Sequence, residues 1–457
     1  MSRPSQTKVV VLLVMLAASS GLGCAGYAGS VQGMRTALHS GDKLGALKQV
    51  NDALEVKKDD ELPEKLKGDN ALLVLERATI KQALGRYQPS AADFQIADKH
   101  LELLDLKNDT AGNIAKWIFS DDATVYKAPA YEKLLLSTLN MLNYLAKGDL
   151  EGARVESRRL AVMQRYLSTE EGRSSALLGV GSFLAGFAFE MSGQAEQALQ
   201  FYGDALSTGS YPSLTGPLTR LAGCSSVRSE AIEQLLASIE TPRTCESRSE
   251  GQGTILVVAS AGLAPHKEAV RLPIGAAITL AGLLMTPAET SRAQSLAAQG
   301  LLTFVNYPDL KVQPSHFSRA AVTIDGRPVP TDLGLDVSGA VIAEWEAMRP
   351  KVVFSAIVRA ITRFAAAQAT EQVVKGASGS GIGGLLAALA VQGTMTVMDT
   401  PDTRSWVTLP GKIFVARLEV QKGEHEVAVS FGSGARFSTR VTIKPGGFAV
   451  VPAMAMR

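Results

Sequence analysis

The sequence predicts an α+β multidomain chain, in which an N-terminal helical array is followed by a mixed α/β region ending in a small antiparallel β-sandwich or sheet. Three observations lead there. From about Val31 to Ile239, apolar residues recur at three- and four-residue spacing, with polar residues between them and short glycine-bearing turns separating the runs. The composition then shifts at the polar segment SRSEGQG, which leads into the apolar, β-branched run Thr254-Ile-Leu-Val-Val-Ala259. Finally, KIFVARLEV, HEVAVSF, ARFSTRVTI and GFAVVPA alternate apolar with polar residues and are separated by KGE, GSG and KPGG. A length of 457 residues accommodates two or three domains. The expected boundaries are a helical domain over 31–245 and a mixed region over 251–457, with helices at about 339–398 and a β-unit at about 405–453.

Composition excludes several classes. Lysine and arginine number 46 against 44 aspartates and glutamates, a net charge of +2 that gives no support for a nucleic-acid partner. With 46% hydrophobic residues, 20% charged residues, 42 glycines and 19 prolines, the chain is neither collagenous, wholly disordered nor a polytopic membrane protein.

The amino terminus has the layout of a secretory signal over 1–23. Arg3 and Lys8 precede an apolar run from Val9 to Ala18, and small residues continue to Cys24. That run is short of the roughly 20 residues a membrane-spanning helix needs. Gly21-Leu22-Gly23-Cys24 resembles a bacterial lipobox, although the large aliphatic residue, Leu22, stands one place late. The resemblance implies that Cys24 is acylated, that 24–30 is a linker, and that the acyl chains hold the body on a membrane. Ala25 after the cysteine implies the outer membrane rather than the inner. The alternative is cleavage nearby by an ordinary peptidase, with Cys24 incidental. Two cysteines remain, Cys224 and Cys245, and an oxidising compartment permits their pairing. Between them lies one amphipathic helix, with Ile232, Leu235, Leu236 and Ile239 at core spacing, ended by Pro242. A disulfide is expected, the alternative being two free buried thiols.

The turns of the helical half carry further information. Around Gly193, the small residues Gly186 and Ala198 and the aromatics Phe189 and Tyr202 sit at offsets −7, +5, −4 and +9, with Ala205 at +12. These offsets resemble the tetratricopeptide (TPR) helix pair, in which small residues let helices approach and aromatics fill the gap. Gly41, Gly85 and Gly148 give partial matches, including Met34, Ala78, Phe94 and Tyr144. The four glycines lie 44, 63 and 45 residues apart, against about 34 for regular repeats, so the array is degenerate. Helix pairs that bury their apolar stripes against sequence neighbours imply that this half folds alone.

In the second half, Ala320 to Ile324 reads as a strand, and Asp325-Gly326 favours a tight hairpin. Ser291 to Leu302 and Gly339 to Ala377 read as helical, the latter broken or kinked at Pro350. Residues 382–398 carry no charge and suit a buried hairpin or core helix, with lipid contact as the alternative.

No pattern of residues supports catalysis. Gly379, Gly381 and Gly384 satisfy G-x-G-x-x-G but follow an alanine-rich helix instead of a strand, so no nucleotide cofactor is expected, despite Asp399 at a tolerable distance. His39, His100, His266, His316 and His425 are scattered singly, and no metal-ligand spacing occurs. No G-x-S-x-G elbow is present. The charged residues of the helical half read as solvated faces. Arg154, Arg158 and Arg165 project from one helix face, beside Arg159, and form the candidate interaction surface for an acidic peptide or carboxylate-bearing polymer.

The lipobox-like start, the TPR-like half and the run Asp402-Thr403-Arg404-Ser405-Trp406, Leu409-Pro410 and Ala416-Arg417 together resemble a family of Gram-negative outer-membrane lipoproteins of unassigned activity. Some members are encoded near lipoprotein activators of peptidoglycan synthases. The resemblance implies a non-catalytic scaffold at the periplasmic face of the outer membrane, binding a periplasmic protein on a concave helical surface and acting in wall or outer-membrane assembly. The alternative is a direct binder of an envelope glycan or lipid through the β-rich half. Trp406 and Leu409 read as core anchors, and Arg404 and Arg417 as partners for Asp399 or Asp402.

Overall fold

The computed structural model describes residues 27–66, 69–100, 126, 128–168, 175–227, 229–237, 245, 251–313, 317–375, 401–432 and 434–457. Cys24, His316, the glycines at 379, 381 and 384, residues 382–398 and Asp399 lie outside them. The fold is α+β, with helices filling the first half and sheets the second.

The helical half comprises α1 (Tyr27–Ser30), α2 (Gln32–His39), α3 (Lys43–Ala53), α4 (Asn70–Ala83), α5 (Tyr87–His100), α6 (Ala130–Ala146), α7 (Leu150–Ser168), α8 (Gly179–Met191), α9 (Ala195–Leu206), α10 (Thr215–Cys224) and α11 (Glu230–Ala237). Antiparallel neighbours are joined by turns at Gly41, Gly85, Gly148 and Gly193, all in the left-handed region with φ between 73° and 83°. The residue after the glycine donates back five places, as Arg86 does to the Lys81 carbonyl (2.9 Å) and Gln194 to that of Phe189 (2.9 Å). This closes the helix end at a position any side chain would strain. Small residues then set how closely the helices approach: a Cβ at Gly186 would stand 2.5 Å from the Tyr202 ring, and one at Gly152 2.3 Å from that of Tyr144. Cys224, the last residue of α10, is disulfide-bonded to Cys245, with Cα atoms 4.6 Å apart.

The strands are β1 (Gln252–Leu263), β2 (His266–Pro273), β3 (Phe304–Lys311), β4 (Ala320–Ile324), β5 (Arg327–Val329), β6 (Asp332–Asp336), β7 (Pro410–Gln421), β8 (Gly423–Phe431), β9 (Ala435–Ile443) and β10 (Phe448–Ala455). Asp325 and Gly326, both at positive φ, make the tight turn from β4 to β5. The four last strands do not form a sheet of their own. They divide between two four-stranded sheets, of order β10-β1-β7-β6 and β5-β4-β8-β9, while β2 and β3 form a separate two-stranded sheet. β10 leaves its sequence neighbours to pair in parallel with β1, Thr254 opposite Phe448. The reason is burial: β1 is covered on both faces, so it needs a strand on each side to satisfy its backbone. Ile255, Val257, Ala259 and Ala261 point into the sandwich, against Val322, Val427 and Phe431. Leu256 and Val258 point the other way, into a core shared with the helices. The layers are therefore helices, sheet, sheet.

A third core joins the antiparallel β2–β3 pair to α12 (Ile274–Ala281), α13 (Pro287–Ala298) and α14 (Val337–Lys375). Of the break or kink expected at Pro350, the break does not occur: α14 runs through it as one helix. Buried Trp345, Val352, Val353, Ala356 and Ile357 pack both sides of the proline on this core, which compensates for the lost backbone bond.

The shared core changes the expectation for an isolated helical half. A chain truncated after Gly251 bares the faces of α4, α6 and α8 that cover the first sheet, and is expected to bind a hydrophobic dye and lose its cooperative melt; a sharp melt without dye binding contradicts this. In the whole chain, reduction should lower stability by about 3 kcal/mol, because the disulfide closes a loop across a sequence separation of 21. Denaturant melts with and without reductant measure this.

Candidate functional site

The surface of the helical array that faces the β-half is occupied by the chain itself. The segment 401–409, leading into β7, lies across α4 and α6, where two wholly buried glutamates receive it. Glu76, in the middle of α4, accepts the Val407 N–H at 2.7 Å and the Thr408 N–H at 2.9 Å, one on each oxygen, and also the Tyr27 hydroxyl. Glu132, in the first turn of α6, accepts the Trp406 N–H at 2.9 Å and the Tyr126 hydroxyl at 2.7 Å. Three consecutive backbone donors thus end on two carboxylates. The Trp406 indole N–H is shared between Thr79 (3.0 Å) and Thr408 (2.9 Å), while Phe94 meets the indole edge-on at 5.9 Å. Burial pushes the Glu76 carboxyl up to about 7, against the opposing pull of Thr408, Tyr27 and Val407. Burial likewise raises Glu132, opposed by Trp406 and Tyr126.

Further along the array, Arg417 of β7 forms a two-pronged pair with Glu190 of α8, at 2.6 and 2.7 Å, with Tyr202 donating to the same carboxylate at 2.6 Å. Burial opposes the guanidinium charge, but Glu190 overrides it and holds Arg417 above its ordinary range. Arg220 adds Glu419 at 2.5 Å. Arg404 pairs with Asp402 at 2.7 Å and reaches Asp69 at 3.5 Å. The expected partner Asp402 therefore serves Arg404, while Arg417 takes Glu190 instead because the first sheet faces α8. Trp406 and Leu409 are core residues, each 1% exposed.

Reading the charges of the helical half as solvated faces fails at α4. Arg77 and Lys81 are buried and both bind Asp93 of α5, at 2.8 and 2.6 Å; Arg77 also donates to the Glu61 carbonyl at 2.8 Å and Lys81 to that of Asp59 at 2.5 Å. Their partners come from a neighbouring helix and a loop, so alternation along one helix could not reveal them. The available signal was four charged or amide side chains, Glu76, Arg77, Lys81 and Gln82, following ALLVL within one helix.

On the outer side, Arg158 and Arg165 of α7 are exposed, and Arg154 is bound to Glu151 at 3.1 Å. Arg159 turns inward to Asp98 and Glu156. Val155 (50% exposed) and Val162 (56%) share the arginine face, all five lying within an arc of about 100°. The histidines do not converge: His266 contacts Glu268 and His425 contacts Asp325, while His39 and His100 are exposed. Among the described residues, no group of three or more His, Cys, Asp or Glu side chains is placed to hold a metal ion, and no helix is long and apolar enough to cross a membrane. The chain matches no protein-family model, no curated protein and no solved structure.

Glu76→Ala is expected to cost about 2–6 kcal/mol, since it orphans two buried N–H groups at about 1–3 kcal/mol each. The pH response follows from the raised carboxyl. A group that binds its proton more tightly when folded stabilises most at low pH, and that share is lost as pH climbs from about 4.5 to about 7. Glu76 accounts for on the order of 3 kcal/mol of this fall, and Glu76→Gln should flatten the slope in melts across that window. An unchanged slope would remove Glu76 as its source.

Proposed function

We propose that this chain is a non-catalytic cell-envelope lipoprotein, held through acylated Cys24 at the periplasmic face of the outer membrane, and that it serves as a protein-interaction scaffold in wall or outer-membrane assembly. The observation that carries the reading is the outward face of α7, where Val155 and Val162 stand bare beside Arg158 and Arg165. An apolar stripe bordered by cations suits a partner with an apolar ridge and acidic flanks. The concave groove first expected to serve is filled by residues 401–409, so recognition falls to the outer helical faces. The resemblance of the TPR-like array and the lipobox-like start adds the location.

Two measurements test this. Mass spectrometry of the mature protein should find an acylated amino-terminal Cys24, and a chain beginning downstream of it would refute the anchor. Crosslinking in intact envelopes should recover a periplasmic protein, and recovery should fall about tenfold or more for Val155→Asp with Val162→Asp and Arg158→Glu. These exposed positions leave stability nearly unchanged. Undiminished recovery would move the interaction off α7.

A further inference from the structure

Residues 272–288, LPIGAAITLAGLLMTPA, contain no ionisable side chain and lie between Arg271 and Glu289. They form the end of β2, helix α12, a 3-10 turn over Gly282–Leu284 and the start of α13. One side is anchored, since Ile274, Ala277, Ala281 and Met285 are buried against α14. The other is bare: Leu283 is 104% exposed and Leu284 41%, with Gly275, Ala276 and Thr279 exposed alongside. The antiparallel β2–β3 pair, whose strands of eight residues each reach about 25 Å, carries this turn away from the Arg35–Glu268 contact at its far end.

Two features separate this turn from a protein-docking face. Both of its hydroxyl side chains are satisfied internally. The Thr279 hydroxyl donates to the Gly275 carbonyl at 3.0 Å, the Met285 N–H to that of Gly282 at 3.3 Å, and Thr286 and Glu289 cap one another at 2.8 and 3.3 Å. Hydrocarbon demands such closure, whereas protein interfaces use about one hydrogen bond per 100–200 Å². Its flanks are also cationic. Arg271 lies 5.7 Å over the ring of Phe304, itself 40% exposed, and Arg292 is exposed on α13. The nearest carboxylate in sequence, Glu289, is drawn into the cap. An apolar apex above a cationic, aromatic base matches the profile of an anionic lipid surface, with acyl chains outermost from the protein and headgroups at the base.

We propose that the α12 turn is a membrane contact, with Leu283 and Leu284 entering the acyl region of a bilayer while Arg271 and Arg292 meet its phosphates. This contact goes beyond the anchor at Cys24 and does not rest on it. It holds the β-half, as well as the amino terminus, against the membrane.

The test uses the mature full chain with vesicles of phosphatidylethanolamine and phosphatidylglycerol, carrying an environment-sensitive fluorophore at Leu283→Cys. In vesicle-bound protein the label should shift to the blue, and lipid-borne nitroxides should quench it at least about threefold more than a label at Leu333→Cys on β6. Adding Leu284→Glu, which leaves the melt unchanged at so exposed a position, should reverse both effects. A label that keeps its aqueous emission on floated protein overturns the proposal and leaves the Cys24 anchor standing. A quenched label on a chain whose mass shows no acyl group supports the proposal and removes the anchor. Crosslinking of the Leu283→Cys site between two copies without quenching assigns the turn to self-association and overturns the lipid contact.

Discussion

The structure depends on two carboxylates taking three successive backbone N–H groups out of water. Glu76 and Glu132 are 0% exposed, a position a charged group tolerates only with its oxygens filled by donors. Here the donors come from residues 406, 407 and 408 and from Tyr27 and Tyr126. The constraint is mutual. The segment before β7 cannot shift by one residue without orphaning both parties, so β7 begins in a fixed place between β1 and β6. Arg417 meets Glu190 seven residues after Pro410, and the two locks agree on one register. The first sheet is thereby positioned on the helices before its apolar contacts are counted.

This arrangement also governs where the protein can meet others. Stacked helix pairs ordinarily offer their inner surface to a ligand. In this chain that surface is closed by Trp406, the strap of residues 401–409 around it and the buried side of the first sheet. Lys43 donates to the Met454 carbonyl at 2.6 Å and Tyr211 to that of Gly334 at 2.7 Å, so the closure extends over the array from α3 to the segment before α10. Under the proposed scaffold and membrane-contact roles, the surfaces that serve recognition face outward: the valine and arginine face of α7, and the uncharged turn after α12.

Local features were legible in the sequence because local chemistry determines them. Gly41, Gly85, Gly148 and Gly193 could be picked out as turns since positive φ after a helix selects glycine, and Asp325-Gly326 for a similar reason. β4 needed only its β-branched run. The partnership of strands was not legible. ARFSTRVTI and GFAVVPA read alike as strands of one small antiparallel unit, yet β9 joins β8 in the outer sheet while β10 crosses to β1. Only the unbroken apolar run of β1 hinted that both its faces would be covered. For the site, Trp406 and Leu409 stood out as anchors by their size and apolarity, but Glu76 and Glu132 did not, because their donors are the backbone of a segment more than 270 residues away. Backbone donors leave no trace in residue identity.

The same point explains why charged residues stand among the leucines of this junction. An apolar groove would accept many apolar segments in many registers, since hydrophobic burial has no direction. Glu76 and Arg77 are adjacent on α4 and so point to different sides of it. Glu76 reads the strap, while Arg77, with Lys81 one turn on, reads Asp93 and the carbonyls of the preceding loop. The helix is keyed on both sides, and each key requires a partner of a stated kind at a stated place: a backbone turn presenting two N–H groups on one side, a carboxylate with two carbonyls on the other. Burying these charges gains less free energy than a leucine core would, but a shifted strap leaves a carboxylate unmatched, which is the more severe loss. Competing arrangements of the two halves are thereby raised in energy relative to the native one.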